Sequence, residues 1–366
     1  MKQMNLLPLD TLFFRDSLPF DTNSESHELA GIFPPYPHTV VGAIRGHYAR
    51  ALGWNGSGAW EPSLYDKLGN RDDLGPLNFA GPFILRDKEV LVPLPLNLVG
   101  YTENDEFKIH TSLVPGKAVV TDIGTVRLPE FAIDPPKGKK LETSTRHWVL
   151  LKELLVWLKS GKRNELSSLV HSKNLWAKEP RVGLARENRM AKEGHLYSAT
   201  HIRMAHNTGL VMLVHGLTDV IGKSNLLTLG GESRQAKLEM LRPEFSVDET
   251  TVSETFTPDT NKHLVLVALT PLHLSKSIIF DSSITIDDSD LSVISVCTDR
   301  LQRIGGWDSV KRQPEKQVSI YPAGTVMYLE SKNINKQLPR FCKIGERTKF
   351  GYGFCALGTL ERTEKK

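Results

Sequence analysis

The chain has 366 residues, of which 40% are hydrophobic and 24% charged, and it carries a net charge of +4 at pH 7. That length suits two domains, and such a composition builds ordinary cores without disulfides or metals. Its three cysteines, Cys297, Cys342 and Cys355, are odd in number and fall in no C-x-x-C spacing, which argues against a disulfide scaffold or a zinc knuckle and for a reducing compartment.

Residues 4–14 (MNLLPLDTLFF) read as a buried first strand. Pro8 and Asp10 break the apolar stretch, so it is no signal peptide, and no run of 18 apolar residues occurs elsewhere; the expected setting is cytoplasmic, without a membrane span. After Pro34, Pro35 and Pro37 a helix is predicted from His38 or Thr39, with Val40, Val41, Ile44, Tyr48, Ala51 and Leu52 as its apolar stripe. Residues 54–136 are rich in Gly, Pro and Asn and read as a long, loop-rich insertion with a few strands. A second helix is expected to be capped by Ser144 or Thr145, to run through Trp148, Leu151, Leu154, Leu155 and Leu158, and to stop at Gly161.

Residues 181–206 have β-type ends around a basic, polar middle, the pattern of a projecting hairpin. Strands are predicted at Gly209–Leu217, Leu226–Leu229 and Ala236–Leu241, followed by an acidic linker over 246–261. A second β-rich half opens at His263–Leu269. It continues through Leu291–Cys297, Gln317–Ile320, Thr325–Glu330 and Phe354–Leu360. Each half ends on a glycine turn, Leu229–Arg234 in the first and Lys349–Phe354 in the second. The expected class is therefore α+β with antiparallel sheets, as two ferredoxin-like (RRM-type) units over 1–250 and 258–366.

Charge is segregated along the chain. Residues 173–206 hold seven Lys/Arg against three Glu, and 336–349 hold five against one, whereas 248–259 and 281–290 contain neither Lys nor Arg. Such segregation fits a protein that meets a polyanion on one face; solvated basic loops are the plain alternative. The segment Val211–Ser224 ends in Gly-Lys-Ser, but its G-x5-G-K-S spacing and the strand-like residues after it do not make a phosphate loop. His195, His201 and His206 match no metal pattern, so neither metal nor cofactor is expected. No nucleophile motif is present. A metal-independent ribonuclease would need only a general base and acid, such as His38 with Tyr36 or Lys349.

At the second turn, Gly351 and Gly353 allow close backbone approach to a phosphodiester, beside Lys343, Arg347 and Lys349. Phe350, Tyr352 and Phe354 there either stack on bases or alternate as strand residues.

The segments Leu7–Asp16 with Pro19-Phe20, Pro35–Gly46, Arg181–Arg203, Leu229–Arg234, Gly305–Asp308, Tyr321–Thr325 and Gly351–Gly353, in that order, resemble the RAMP subunit that caps the type III-B (Cmr) CRISPR effector. The resemblance runs from about residue 5 to 360, with residues 54–136 matching least. It implies a non-catalytic subunit that holds the 5′ tag of the CRISPR RNA beside the large polymerase/cyclase-type subunit and the backbone RAMP subunits. A metal-independent RAMP endoribonuclease that processes repeat RNA, and the equivalent type III-A subunit, are the alternatives. Residues and resemblance together give one expected RNA face. It comprises Arg15 and Asp16 after the first strand; His38, Thr39 and Arg45 on the first helix; Arg186, Arg189 and Arg203 on the hairpin; Arg234 in the first glycine turn; and Lys349, Gly351, Tyr352 and Gly353 in the second.

Overall fold

The computed structural model describes residues 1–15, 28, 29, 31–122, 124–161, 166, 168–187, 190–217, 225–241, 253–275, 278, 283–308, 313, 314, 316–331 and 337–362. For 28, 29, 184–187, 190–197, 307, 308, 314 and 331 only the backbone is described. Antiparallel sheets dominate, with three α-helices among these residues, so the α+β class holds. The chain divides into two units that are each discontinuous in sequence: 1–88 with 173–242 and 303–319, and 89–172 with 243–302 and 320–366. The expected single boundary near 250–258 is not where the contacts divide. Residues 89–172 pack with the second half, although they precede the hairpin in the chain.

In the first unit the Lys2–Pro8 strand is buried on both faces. Antiparallel neighbours explain this, Thr208–His215 on one side and Gln235–Leu241 on the other. Asn78–Arg86 extends the sheet beyond Thr208–His215, and Leu226–Thr228 extends it beyond Gln235–Leu241. Numbered along the chain, the four longest strands of this sheet lie in the order 2-3-1-4. Asn78–Arg86 is thus a core strand, and the expectation of a loop-rich insertion over 54–136 is corrected at this point. Nine residues with Phe79, Phe83, Ile84 and Leu85 buried form a sheet strand despite the flanking Gly and Pro.

Helix α1 spans Pro37–Ala51, one or two residues earlier than expected, because proline fits the first helical turn, where its missing N–H costs no bond. Val40, Val41, Ile44 and Tyr48 are its buried stripe. A short α2 spans Pro62–Leu68. The hairpin pairs Trp176–Glu187 with Met190–Met204, from Trp176↔Met204 to Glu187↔Met190, with an irregularity between Leu184 and Arg186.

In the second unit Lys262–Ala268 is the central strand. Val326–Ser331 and Phe354–Glu361 pair with it antiparallel, and Ser289–Cys297 follows beyond Val326–Ser331. The order is again 2-3-1-4. Helix α3 spans Leu151–Ser160 and lies on Phe354–Glu361. Gly358 makes that contact possible: a Cβ there would stand 2.5 Å from Leu158 Cβ. Gly161 ends the helix in the left-handed region (φ 73°), as expected. Its start is corrected. His147–Leu150 is a strand paired with Glu89–Pro93, so Trp148 belongs to a sheet, and Ser144 bonds His147 Nδ1 (2.6 Å) instead of capping a helix. A separate sheet is built from Leu98–Glu103, Glu106–Thr121, Gly124–Phe131 and Glu142–Thr143. The acidic linker lies partly outside the described residues; its end pairs Thr255–Phe256 with Leu338–Pro339.

Candidate nucleic-acid interface

Three segments of the first unit meet where the first strand ends. Leu12 exchanges backbone bonds with Ile202 of the hairpin (2.8 Å each way), Gly231 N–H donates to Phe13 O (2.8 Å), and Ile32 N–H donates to Phe14 O (2.8 Å). Residues 12–15 are thereby fixed between the hairpin, the glycine turn and the segment that leads into α1. Close approach dictates the glycine at 230: its φ is 84°, and a Cβ would lie 2.4 Å from Phe13 O. Packing against Phe13 thus accounts for this turn before any ligand is considered.

The junction leaves a pocket of about 280 Å³ lined by Phe14, Arg15, Thr39, Ala43, Thr228, Gly230 and Gly231. Arg15 is exposed at its rim. Thr39 and Ala43 come from the first two turns of α1, whose N-terminal turn carries no acidic residue, so the positive end of the helix is not offset there. A guanidinium, a hydroxyl, a helix N-terminus and two glycines together suit a phosphate-bearing ligand. Of the expected residues, Arg15 and Thr39 are brought together here. His38 lies one residue away, half-buried, with its ring 6.1 Å from that of Tyr36. Asp16 and Arg189 lie outside the described residues, as does the side chain of Arg186.

Beside the pocket the hairpin base is a charge network. Asp10 faces three guanidiniums, Arg234 at 3.1 Å, Arg203 at 3.3 Å and Arg181 at 3.6 Å. Glu179 takes Arg203 Nε at 2.5 Å and Arg181 Nη2 at 2.7 Å, and Glu232 takes Arg234 at 3.2 Å. Hydrogen bonds from Arg203 and Arg181 hold the Glu179 carboxyl down to about 2. Asp10 is held below its usual range mainly by the Thr11 backbone N–H, with the three arginines adding to it. Buried His201 stacks on Phe13 (5.2 Å), shares a hydrogen bond between Nδ1 and Thr11 Oγ1 (3.1 Å), and has Nε2 3.1 Å from Glu232; burial lowers its pKa. Arg203 and Arg234, expected on RNA, are therefore matched by carboxylates of the same unit. Sequence reasoning missed Asp10, Glu179 and Glu232 as their partners. The available signal was cross-strand: Glu179 faces His201 in the hairpin register, with Arg181 and Arg203 two residues from each.

Arg45 departs from expectation. It is buried, and it donates from Nε to Leu68 O (2.8 Å) and from Nη2 to Gly69 O (2.9 Å) and Asn70 O (2.7 Å). Its guanidinium also lies over Trp60 at 4.8 Å. Removal from water lowers its pKa to about 10. It ties α1 to the end of α2 rather than offering a phosphate contact.

The second glycine turn belongs to the second unit. Gly351 (φ 101°) and Gly353 (φ 65°) are left-handed, and a Cβ on Gly353 would lie within bonding distance of Ile344 O. Lys349 and Arg347 are exposed there. Lys343 donates from Nζ to Thr348 O (3.0 Å), and burial pulls its pKa down to about 8. Tyr352 is wholly buried and Phe354 stacks on Phe341 inside the core (5.3 Å). Both rings are core side chains, so neither presents a face for base stacking.

An antiparallel α+β chain with an anion-suited pocket beside a clamped hairpin is the class defined so far. The family model described as CRISPR-associated protein (Cas_Cmr3) matches residues 4–360. The chain belongs to that family, and with it to the subunits of type III CRISPR effectors. It is similar to a chain in the cryo-EM structure of the Type III-B Cmr-beta bound to cognate target RNA, at 18% identity over 89% of this chain and 86% of that one, with a TM-score of 0.47. It is also similar to a chain in the crystal structure of the Csm3-Csm4 subcomplex of the type III-A CRISPR-Cas interference complex, at 12% identity over 99% and 100% of the two chains, with a TM-score of 0.41. No curated protein matches.

Proposed function

We propose that this subunit holds the 5′ tag of the CRISPR RNA within a type III-B effector and docks the large polymerase/cyclase-type subunit, with the backbone RAMP subunits alongside. The pocket carries the reading: Arg15, Thr39 at the start of α1, and the Gly230–Gly231 backbone converge on one space sized for part of a nucleotide. Lys349 and the turn around Gly351 and Gly353 supply the second contact. Both units then act as variants of the ferredoxin-like fold, a reading supported by the shared 2-3-1-4 strand order.

A tag is held as splayed single-stranded RNA, read by polar edges and backbone contacts. The heterodimer with the large subunit, titrated with tagged, scrambled and tagless RNAs, is expected to prefer the tagged RNA. Equal affinity for all three would reduce the chain to a nonspecific polyanion binder. We also propose that it holds RNA without cutting it. Purified protein should leave repeat RNA intact; cleavage that disappears on His38→Ala would establish the ribonuclease instead.

A further inference from the structure

Cys342 and Cys355 stand directly opposite each other on the antiparallel strands Phe341–Lys343 and Phe354–Glu361, which meet at the second glycine turn. The backbone bonds Ile344 N–H to Gly353 O and Leu357 N–H to Arg340 O bracket the pair two residues away on either side. The cysteines thus occupy a hydrogen-bonded position of the ladder, where facing Cα atoms are about 5.5 Å apart. That Cα separation lies within the range of disulfides, while the Cβ atoms of such a pair stand about 5.5 Å apart, so closing the bond draws the two strands together locally by about 1–2 Å. Cys342 is half-buried and Cys355 fully buried, and the Cys355 thiol donates to Gly353 O at 3.3 Å.

We propose that Cys342 and Cys355 are a modification site, a dithiol that a small-molecule disulfide of the glutathione type converts to a cross-strand disulfide at the base of the 345–353 turn. The Cys342 thiolate attacks one sulfur of oxidised glutathione; the S–S bond breaks, and one glutathione leaves and takes up a proton. As its sulfur attacks Cys342 Sγ, Cys355 passes its proton to the second glutathione, which is expelled as a thiol. Two protein thiols are oxidised and one glutathione disulfide is reduced to two thiols. The order of events follows from access. Burial and the Cys342 contact raise the Cys355 thiol pKa well above its usual value, so the half-exposed partner opens the exchange and the buried one resolves it. Cys297 lies elsewhere in the same unit, buried and pushed up to about 12, and stays out of the reaction.

The test uses native, fully reduced protein incubated with oxidised glutathione, quenched with an alkylating agent and mapped by nonreducing peptide mass spectrometry. The expected product is one linked peptide pair joining 342 to 355, with Cys297 alkylated only after denaturation. Cys355→Ser should accumulate a stable glutathione adduct on Cys342, whereas Cys342→Ser should leave Cys355 reduced. Recovery of Cys342 and Cys355 as separately alkylated or separately glutathionylated peptides from the wild-type protein would overturn the proposal. So would a linkage found only between two chains. Thermal melts of both serine variants check that each is folded before it is scored.

Discussion

At the scale of single residues, the side chains that looked alike in sequence separate by what they touch. Arg15 is exposed at the pocket, whereas Arg45 spends its donors on three backbone carbonyls. Arg45→Ala leaves those acceptors without their guanidinium and should destabilise the protein by roughly 2–4 kcal/mol in urea unfolding. Lysine should not rescue it, because one ammonium cannot reproduce a planar fork aimed at successive carbonyls. The salt dependence of RNA binding should be unchanged in any folded fraction. Glu179 gives a second prediction. Its carboxyl sits near 2 in the folded state, against an ordinary value near 4.5 in the unfolded chain. A depressed carboxylate contributes stability that is present above the unfolded value and lost as pH falls through the folded one. Between about pH 4.5 and 2 the hairpin base should therefore loosen, read as lower amide-exchange protection at Ile202 and Leu12 relative to the intrinsic rate at each pH. In Glu179→Gln that acid dependence should shrink markedly, and an identical acid limb would show that the network does not hold the hairpin.

At the scale of elements, α1 offers the plainest contrast between a glycine that is needed and one that is not. Gly230 is fixed by its φ and by Phe13, while a Cβ on Gly42 would meet nothing within 4 Å on an exposed helical face. Gly42→Ala should raise stability by about 1 kcal/mol through backbone entropy alone, measured as a higher urea midpoint with unchanged slope. No gain would mean that position 42 is constrained by something other than helix propensity. The strands flanking the two glycine turns were legible because Val, Ile and Leu cluster between turn residues, and the hairpin because its two ends read as β. Two features were not. Trp148 to Leu158 carries helical spacing throughout, yet pairing of Val149 and Leu150 with the Glu89–Pro93 strand takes the first residues for a sheet. Asn78–Arg86 hid among Gly and Pro, because its burial comes from a partner, Thr208–His215, more than a hundred residues away. The RNA face was legible as residue types, but the carboxylates that offset Arg203 and Arg234 become visible only once the register is known.

At the scale of the whole molecule, the expected contacts fall in two units, Arg15 with Thr39 in one and Lys349 with Gly351 in the other. The sheet order repeats, but the chain does not divide into sequential halves, because residues 89–172 join the second unit. The two proposed contacts make a quantitative prediction. Each phosphate neutralised on a single strand contributes about 0.7 to the slope of log K against log salt. Arg15→Ala and Lys349→Ala, measured in the assembled heterodimer with tagged RNA, should each lower that slope by about 0.7, and the double substitution by about 1.4. The two positions belong to different units, so their free energies should also add within about 0.5 kcal/mol. Arg203→Ala should lower the slope by less than either, because Asp10 and Glu179 already neutralise that guanidinium. A double variant no worse than Arg15→Ala alone would confine the RNA to the first unit, and Lys349 would then be an ordinary surface cation.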